Sequence, residues 1–409
     1  MAKPTGRTLD SLLAAALSVF AVGNLALPEA SQTILGVDYL VLVAVSFSAI
    51  IVLRFTQLLD QNYVWVAGFV LLLSIVPGLL MLAPTAYGSE KAQSLLLTAI
   101  AIFASACFHD KIAGVRRTLV WTSAASLLFA LFLLIDRTVT ASGRVSVFSL
   151  NPVGAARMTG IFVVTGLAMI MSSHIRASLR LAILAGAVLC SIATLMTGSR
   201  GPALSALLAL IAVVTLTMRS RDVRLRTLIV GVGAMGAAMV VILDSNMAGI
   251  SRVLDGGDSG RSGIYSFTIA QAWANPTGVG WGGFAGVAWR WGSRADRIYP
   301  HNLMLEVFVE GGFIALFGFA AILLYALWHG SRSYLRTKNR VECIAIGLYI
   351  YALVNSQFSS DLVGNRLLWV TLGLVLVLSH PMRNAQPKTA PGQQPVHIGR
   401  PHDGATRET

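Results

Sequence analysis

LMLEVFVEGGFIALFGFAAILLYAL, residues 303–327, contains two charged side chains, Glu306 and Glu310, and is otherwise almost wholly apolar. At about 1.5 Å per residue, a helix of about 20 apolar residues crosses the roughly 30 Å of hydrocarbon in a bilayer. A helix is the expected spanning form, because each backbone donor must be satisfied within its own segment in lipid. Comparable stretches lie near residues 10–27, 37–54, 63–83, 93–108, 118–135, 155–173, 181–197, 203–218, 227–243, 341–357 and 366–380. With 303–327 they make about twelve transmembrane helices. The composition agrees: 55% of residues are hydrophobic, mean hydropathy is +0.71, and 12% are charged, against roughly 25% in soluble domains. The expected class is an all-α polytopic membrane protein.

A net charge of +13 raises the question of nucleic acid, but the placement of the charges answers to topology instead. With the amino terminus inside, 20 of the 31 Lys and Arg residues fall on one side, in the termini and in turns such as 111–117, 219–226 and 332–340. The other side holds Lys91, Arg137, Arg144, Arg157, Arg200, Arg252, Arg261, Arg290, Arg294, Arg297 and Arg366. The positive-inside rule therefore puts both termini in the cytoplasm. The expected division is helices 1–9 in residues 1–243, an outer loop at 244–302, helices 10–12 in 303–380, and a polar cytoplasmic tail, disordered by composition, at 381–409. Cys107, Cys190 and Cys343 lie in or beside spans and imply no disulfide framework. The first apolar stretch lacks a clear cleavage pattern and reads as a signal anchor.

The loop at 244–302 is the longest polar interruption, and its arginines are placed against the charge bias. Arg261 opens an expected short helix, residues 261–274, with Tyr265, Ile269, Ala272 and Trp273 near one face, lying on the membrane surface or capping the bundle. Asn275-Pro276 stops it. Gly278, Gly280, Gly282 and Gly283 then allow close approach to a ligand or to another segment. No strand precedes them, so a nucleotide cradle is a weak reading.

Two further elements reach the same side. Arg200 sits in the turn Thr197-Gly198-Ser199-Arg200-Gly201-Pro202, which can bind an anion through its open amides or send an arginine to lipid headgroups. His301, with Asn302 after it, stands at the outer mouth of the tenth span, ahead of Glu306 and Glu310. An imidazole with a pKa near 6.5 can accept a proton at neutral pH, although a lone histidine can equally be structural. Carboxylates inside a span face a polar cavity or pair with a base. Arg366 and Asp361 are candidate partners, or pair with each other. Two guanidinium groups suit the oxygens of a lipid-linked diphosphate, and a neutralised diphosphate is a competent leaving group. A base for an incoming hydroxyl would complete the set, and His301 is the only histidine on that side. Asp255 and Asp258, the one close acidic pair there, read as a solvated turn, so no metal and no other cofactor is expected.

At these residues the chain resembles the O-antigen ligase and polymerase superfamily of bacterial inner-membrane glycosyltransferases. The resemblance is carried by Thr197-Gly198-Ser199-Arg200-Gly201, by Arg261 with Trp273, Asn275-Pro276, Gly278, Gly280 and Phe284, and by His301-Asn302, Leu305, Glu310 and Gly311, with Asn151-Pro152 before the sixth span. It implies a GT-C-like helical fold with one large periplasmic loop containing short helices. It also implies transfer of a glycan from undecaprenyl diphosphate to an acceptor hydroxyl in the periplasm, without nucleotide sugar or metal. Arg200 and Arg261 would hold the diphosphate, and His301 would act as base or orient the acceptor. Asn302, Glu306, Glu310 and Trp273 would support them. The chain's length and single dominant outer loop look more like the ligase, whose acceptor is a lipid A-core sugar in a Gram-negative inner membrane, than like a polymerase. A secondary transporter or flippase is the alternative from another class. Transporters usually show related halves and polar groups at midplane; here no half-to-half similarity is evident, and the polar groups gather at one face.

Overall fold

Most of the helices begin before their apolar stretch does, because polar residues cap and fill the first turn. The computed structural model describes residues 6–26, 33–34, 37–59, 61–139, 144–147, 150–172, 175–217, 261–291 and 297–380. The expected ninth span (227–243), the first part of the outer loop with Asp255 and Asp258, and the tail 381–409 lie outside the described residues. In chain order the helices are α1 (Gly6–Ala26), α2 (Tyr39–Leu53), α3 (Phe55–Leu59), α4 (Asn62–Leu80), α5 (Ala86–Ser105), α6 (Lys111–Ile135), α7 (Pro152–Ser172), α8 (Ala177–Met196), α9 (Arg200–Thr217), α10 (Arg261–Ala274), α11 (Phe284–Val287), α12 (Leu303–Thr337), α13 (Arg340–Asn355) and α14 (Arg366–Ser379). Thr85 starts α5 by accepting from the Gly88 amide at 3.0 Å. Asp110 starts α6 by accepting from Ala113 at 2.9 Å. Each side-chain cap satisfies one of the orphan amides of a first turn.

The protein is mostly helical and of the multi-pass membrane type. Among the described residues six helices, α1, α6, α7, α8, α9 and α12, are long and apolar enough to cross a membrane, and α2, α14 and the Val64–Leu80 part of α4 are shorter apolar helices. The described residues agree with the all-α expectation, and two very short ladders accompany the helices. Two antiparallel ladders of two residues a strand, Thr33–Ile34 with Val37–Asp38 and Thr138–Val139 with Val145–Ser146, follow α1 and α6. They lie between apolar stretches, where no hydropathy signal marks them.

The core lies around α14, whose residues Leu367 to Ser379 are all buried, as befits a helix apolar on every side. It packs against α1, α5, α12 and α13. Outward-facing Leu80, Val52 and Leu181 are 82%, 75% and 69% exposed. Exposing such side chains to water forfeits about 25 cal/mol per Å² of apolar surface, a penalty that lipid does not impose. Hydroxyls join the helices inside: Ser126 donates to the Met158 carbonyl at 2.7 Å, and Thr159 and Thr194 share a bond of 2.7 Å.

Helix α12 runs ten residues beyond the expected 327 and is broken inside. Gly312 adopts φ 72°, ψ −170°, which only glycine reaches without strain. The amides and carbonyls freed by the break are taken up by the chain after α10: Phe313 donates to the Pro276 carbonyl, Val279 to Val309 and Gly280 to Glu310, at 2.9–3.0 Å. The loop at 276–283 thus locks onto the break in α12.

Candidate functional site

Segment 355–365, between α13 and α14, organises the polar end of the bundle. Its backbone and side chains gather groups from five other parts of the chain. Arg261, the first residue of α10, donates to the Phe358 carbonyl at 2.5 Å. Gly201, next to Arg200, lies so close to Phe358 that an added Cβ would meet its Cβ at 2.8 Å. Asn302 donates to the Gln357 carbonyl at 3.3 Å, and the Leu303 amide to Ser356 at 3.0 Å. Glu306 accepts from the Leu362 amide at 2.9 Å, and Asp361 from the Tyr87 hydroxyl at 3.1 Å. Arg157 donates to the Asn365 side-chain oxygen at 2.6 Å. The N-terminal ends of α5, α7, α9, α12 and α14 therefore point towards one end of the molecule, where their dipoles favour negative charge.

His301 is held in the left-handed region, φ 58°, at a cost of about 1–2 kcal/mol for a residue with a Cβ. Its neighbours fix it there. Asn302 caps α12 by accepting from the Leu305 amide at 3.0 Å, and Tyr299 packs on the imidazole at 4.4 Å between ring centroids. The His301 Nδ1 is buried without a hydrogen-bond partner. Burial first, and then the Arg261 charge, hold the imidazole pKa below 6.5, with Asp361 opposing. The ring is thus neutral at neutral pH, with a nitrogen free to accept. Burial pushes the Tyr299 phenol up to about 12, and Asp361, Glu306, Arg157 and Arg261 all act on it.

Arg157 is the residue that sequence reasoning undervalued. It is 3% exposed, its Nε has no hydrogen-bond partner, and among the described residues no carboxylate forms an ion pair with it. The Tyr351 hydroxyl donates to its carbonyl at 2.9 Å, holding the second turn of α7. A buried charge left unpaired costs several kcal/mol. The available signal was an arginine near the start of an apolar stretch, which marks a functional position by default.

Glu306 and Glu310 do pair with a base, and it is Lys91. The Lys91 Nζ lies 2.5 Å from Glu306 Oε1 and also bonds Glu310, with all three side chains fully buried. The suggested partners are engaged elsewhere. Arg366 bonds the Tyr39 hydroxyl and lies over the Phe20 ring, while Asp361 takes the Tyr87 hydroxyl and the Gly364 amide. Lys91 and the carboxylates thus tie α5 and α12, and through Leu362 segment 355–365, into one unit.

The glycine run approaches other backbone. A Cβ on Gly280 would meet the Met81 carbonyl at 1.6 Å, and one on Gly278 the Glu310 carbonyl at 2.3 Å. Trp281, fully buried, donates its ring N–H to the Ile75 carbonyl at 2.7 Å, and its amide donates to Gly78 at 3.1 Å. These residues flank Pro77, which interrupts the bonding of α4. The buried stripe of α10 is Ile264, Thr268 and Ala272, which shares Ala272 with the apolar face expected from the sequence. Ile269 and Trp273 are exposed, and Trp273 meets Phe308 and Phe313 edge-on. The structure places it against the α12 break, in contact with those rings and not with the His301 ring. Arg200 is an exposed first residue of α9; the turn before it carries Gly198 at φ 64°, and Arg144 binds that turn through Thr197 and Ser199 at 3.0 and 2.7 Å. Among the described residues no group of three His, Cys, Asp or Glu side chains is placed to hold a metal.

Residues 185–320 match the model of a family described as O-antigen ligase. No curated protein matches the chain. The matched region contains Arg200, Arg261, Trp273, His301, Asn302, Glu306 and Glu310; Lys91, Arg157 and segment 355–365 complete the same constellation from outside it.

Proposed function

We propose that this membrane protein of O-antigen ligase type transfers a glycan from an undecaprenyl-diphosphate-linked donor to a sugar hydroxyl of a lipid A-core acceptor, at the periplasmic face of a Gram-negative inner membrane. Twelve spans, with residues 244–302 as the outer loop between the ninth and tenth, are part of this reading. What carries it is Arg157, a buried guanidinium that forms no ion pair among the described residues, at the end of the bundle that also holds Arg261, the Arg200 turn and a neutral His301. An incoming diphosphate supplies the missing negative charge, and guanidinium forks bind its oxygens in pairs.

In the reaction the acceptor oxygen forms a bond to the donor sugar's anomeric carbon as the bond from that carbon to the diphosphate oxygen breaks. Undecaprenyl diphosphate leaves with the electron pair, its charge spread over Arg157, Arg200 and Arg261. The hydroxyl proton passes to His301. Asn302 holds the imidazole through its cap on α12. Glu306 and Glu310 act at one remove, by fixing Lys91 and segment 355–365. The exposed indole of Trp273 offers a surface for membrane lipid or glycan beside α12. No metal or other cofactor enters this scheme, in which the arginines carry the charge.

The break in α12 and the buried Lys91 triad superficially suit a transporter, whose broken helices expose backbone to a substrate. Here the backbone groups of the break are filled by residues 276–280, and Lys91 is already paired, so neither offers a binding position.

The test is reconstitution of the full-length chain with lipid-linked glycan and purified lipid A-core. Capped lipopolysaccharide is the ligase result; longer carrier-linked chains would make the enzyme a polymerase. Arg157→Ala, Arg261→Ala and His301→Ala each abolish transfer while leaving protein in the membrane, the histidine change costing about 10²–10⁴-fold as loss of a general base does. Near-normal transfer by any of the three removes this mechanism.

A further inference from the structure

Helices α12 and α14 begin at the candidate site and end at the opposite face, where the structure has a cavity of about 950 Å³. The 14 residues of α14 separate the two by about 20 Å. The cavity is formed by the beginnings of α1, α6 and α13 and the ends of α12 and α14. All its cations come from the side that the charge bias assigns to the cytoplasm.

Among the described residues, the charges in its wall do not balance. Arg7, Lys111, Arg117 and Arg336 face Asp10, Asp110 and Glu342. Asp10 is already satisfied, by the Arg54 guanidinium and by the His109 and Asp110 amides at 3.0 and 3.1 Å. Asp110 is used as the α6 cap. Arg117 and Arg336 form no ion pair among the described residues, and the Arg117 Nη1 is buried without a hydrogen-bond partner. Lys111, 8% exposed, donates to the His380 carbonyl at 2.9 Å. Among the described residues four cations thus stand against two carboxylates that remain to offset them, around a volume that admits a phosphorylated headgroup. Ile112, Val377 and Leu378 add an apolar wall of the kind a glycerol backbone and the first acyl carbons cover.

We propose that this cavity binds a phosphate group, presented by a phospholipid headgroup of the cytoplasmic leaflet or free in solution. Guanidinium groups and a buried ammonium, with an excess of positive charge, are the chemistry that recognises phosphate. The site is separate from the one proposed for transfer and does not depend on that reading.

The experiment uses the full-length Arg261→Ala protein in detergent, so that a phosphate response of the opposite end is weakened at the outset. Its thermal unfolding is titrated with short-chain phosphatidylglycerol, with inorganic phosphate, and with chloride at matched ionic strength. A saturable rise in Tm with at least one phosphate probe, absent with chloride, is expected. A response to the lipid alone identifies the headgroup as the source, and a response to inorganic phosphate identifies the free anion. Adding Arg117→Gln or Arg336→Gln weakens the apparent affinity about tenfold or more, the loss of one charge-assisted contact. Arg336 is exposed, so its variant keeps the fold and carries the test if the Arg117 variant does not. The proposal is overturned if neither probe gives a saturable shift, or if Arg336→Gln titrates like its parent.

Discussion

Arg157 and Arg54 are both buried arginines, and their surroundings give opposite expectations. Arg54 is paired with Asp10 and also donates to the Gly6 carbonyl at 2.8 Å, so Arg54→Met leaves a buried carboxylate and costs about 3–5 kcal/mol. Arg157 forms no ion pair among the described residues, and replacing an uncompensated buried charge by an apolar side chain of similar size is neutral or stabilising by about 1–2 kcal/mol. Arg157→Met therefore keeps or raises the Tm of the ligand-free protein while abolishing transfer. Thermal unfolding in detergent beside a transfer assay checks both, and a large loss of stability in Arg157→Met would assign the residue to the scaffold. His301 gives a second expectation at this scale. Its pKa is depressed by burial and by Arg261, and only the neutral ring accepts a proton. Transfer thus persists as pH falls to 6.5 and declines only below it. Asp361 is the one charge that raises this pKa, so Asp361→Asn moves the acid limb of the pH profile lower still; a limb moving upward would contradict the arrangement.

Among the elements, the broken helix α12 and the glycine loop set the geometry of the site. Gly280→Ala places a Cβ 1.6 Å from the Met81 carbonyl with φ at +84°. Neither neighbour is a flexible side chain, and the loop must leave the break. A loss of folded protein is expected, with a cost above about 3 kcal/mol, the sum of left-handed strain and overpacking. Gly263, inside α10, has nothing within 4 Å of its added Cβ, and Gly263→Ala stabilises by about 0.5–1 kcal/mol through helix propensity. Opposite signs for two glycines 17 positions apart, read by thermal unfolding, distinguish a docked backbone from a merely flexible one. If Gly280→Ala unfolds like the parent protein, the loop is not locked to the break.

For the whole molecule, the Lys91 triad joins α5, α12 and the segment before α14. Lys91→Met leaves two carboxylates buried without a cation and costs about 3–5 kcal/mol. Adding Glu306→Gln and Glu310→Gln removes the uncompensated charge and restores much of that stability, because the penalty belongs to the charge and not to the volume. The fraction monodisperse after heating measures both variants, and absence of rescue would mean that the triad does more than balance charge. The loop at 244–302 expressed alone has no transfer activity, since Arg157, Arg200 and segment 355–365 come from elsewhere in the chain. Arg157, Arg200 and Arg261, from the side with fewer cations, gather at one end, whereas Arg7, Lys111, Arg117 and Arg336 line the cavity at the other.

The sequence by itself determined that this chain is built mainly of apolar helices, and eleven of its twelve expected apolar stretches fall on described helices; from it comes also the expectation that Arg200, Arg261 and His301 share one face. Hydropathy and charge bias act over whole segments, so they can be read one stretch at a time, and the turn motifs are local. It left the partners of Glu306 and Glu310 undecided, saw Arg157 only as one more outer arginine, did not say which face of α10 is buried, and of segment 355–365 singled out Asp361 alone. These are matters of which helix faces which. Lys91 is 215 positions from Glu306, and Arg157 is 208 from Asn365. Only the tertiary structure brings such residues together, because in an apolar bundle many packings satisfy the same hydropathy, and the few buried polar groups that choose among them do so through contacts that no local pattern records.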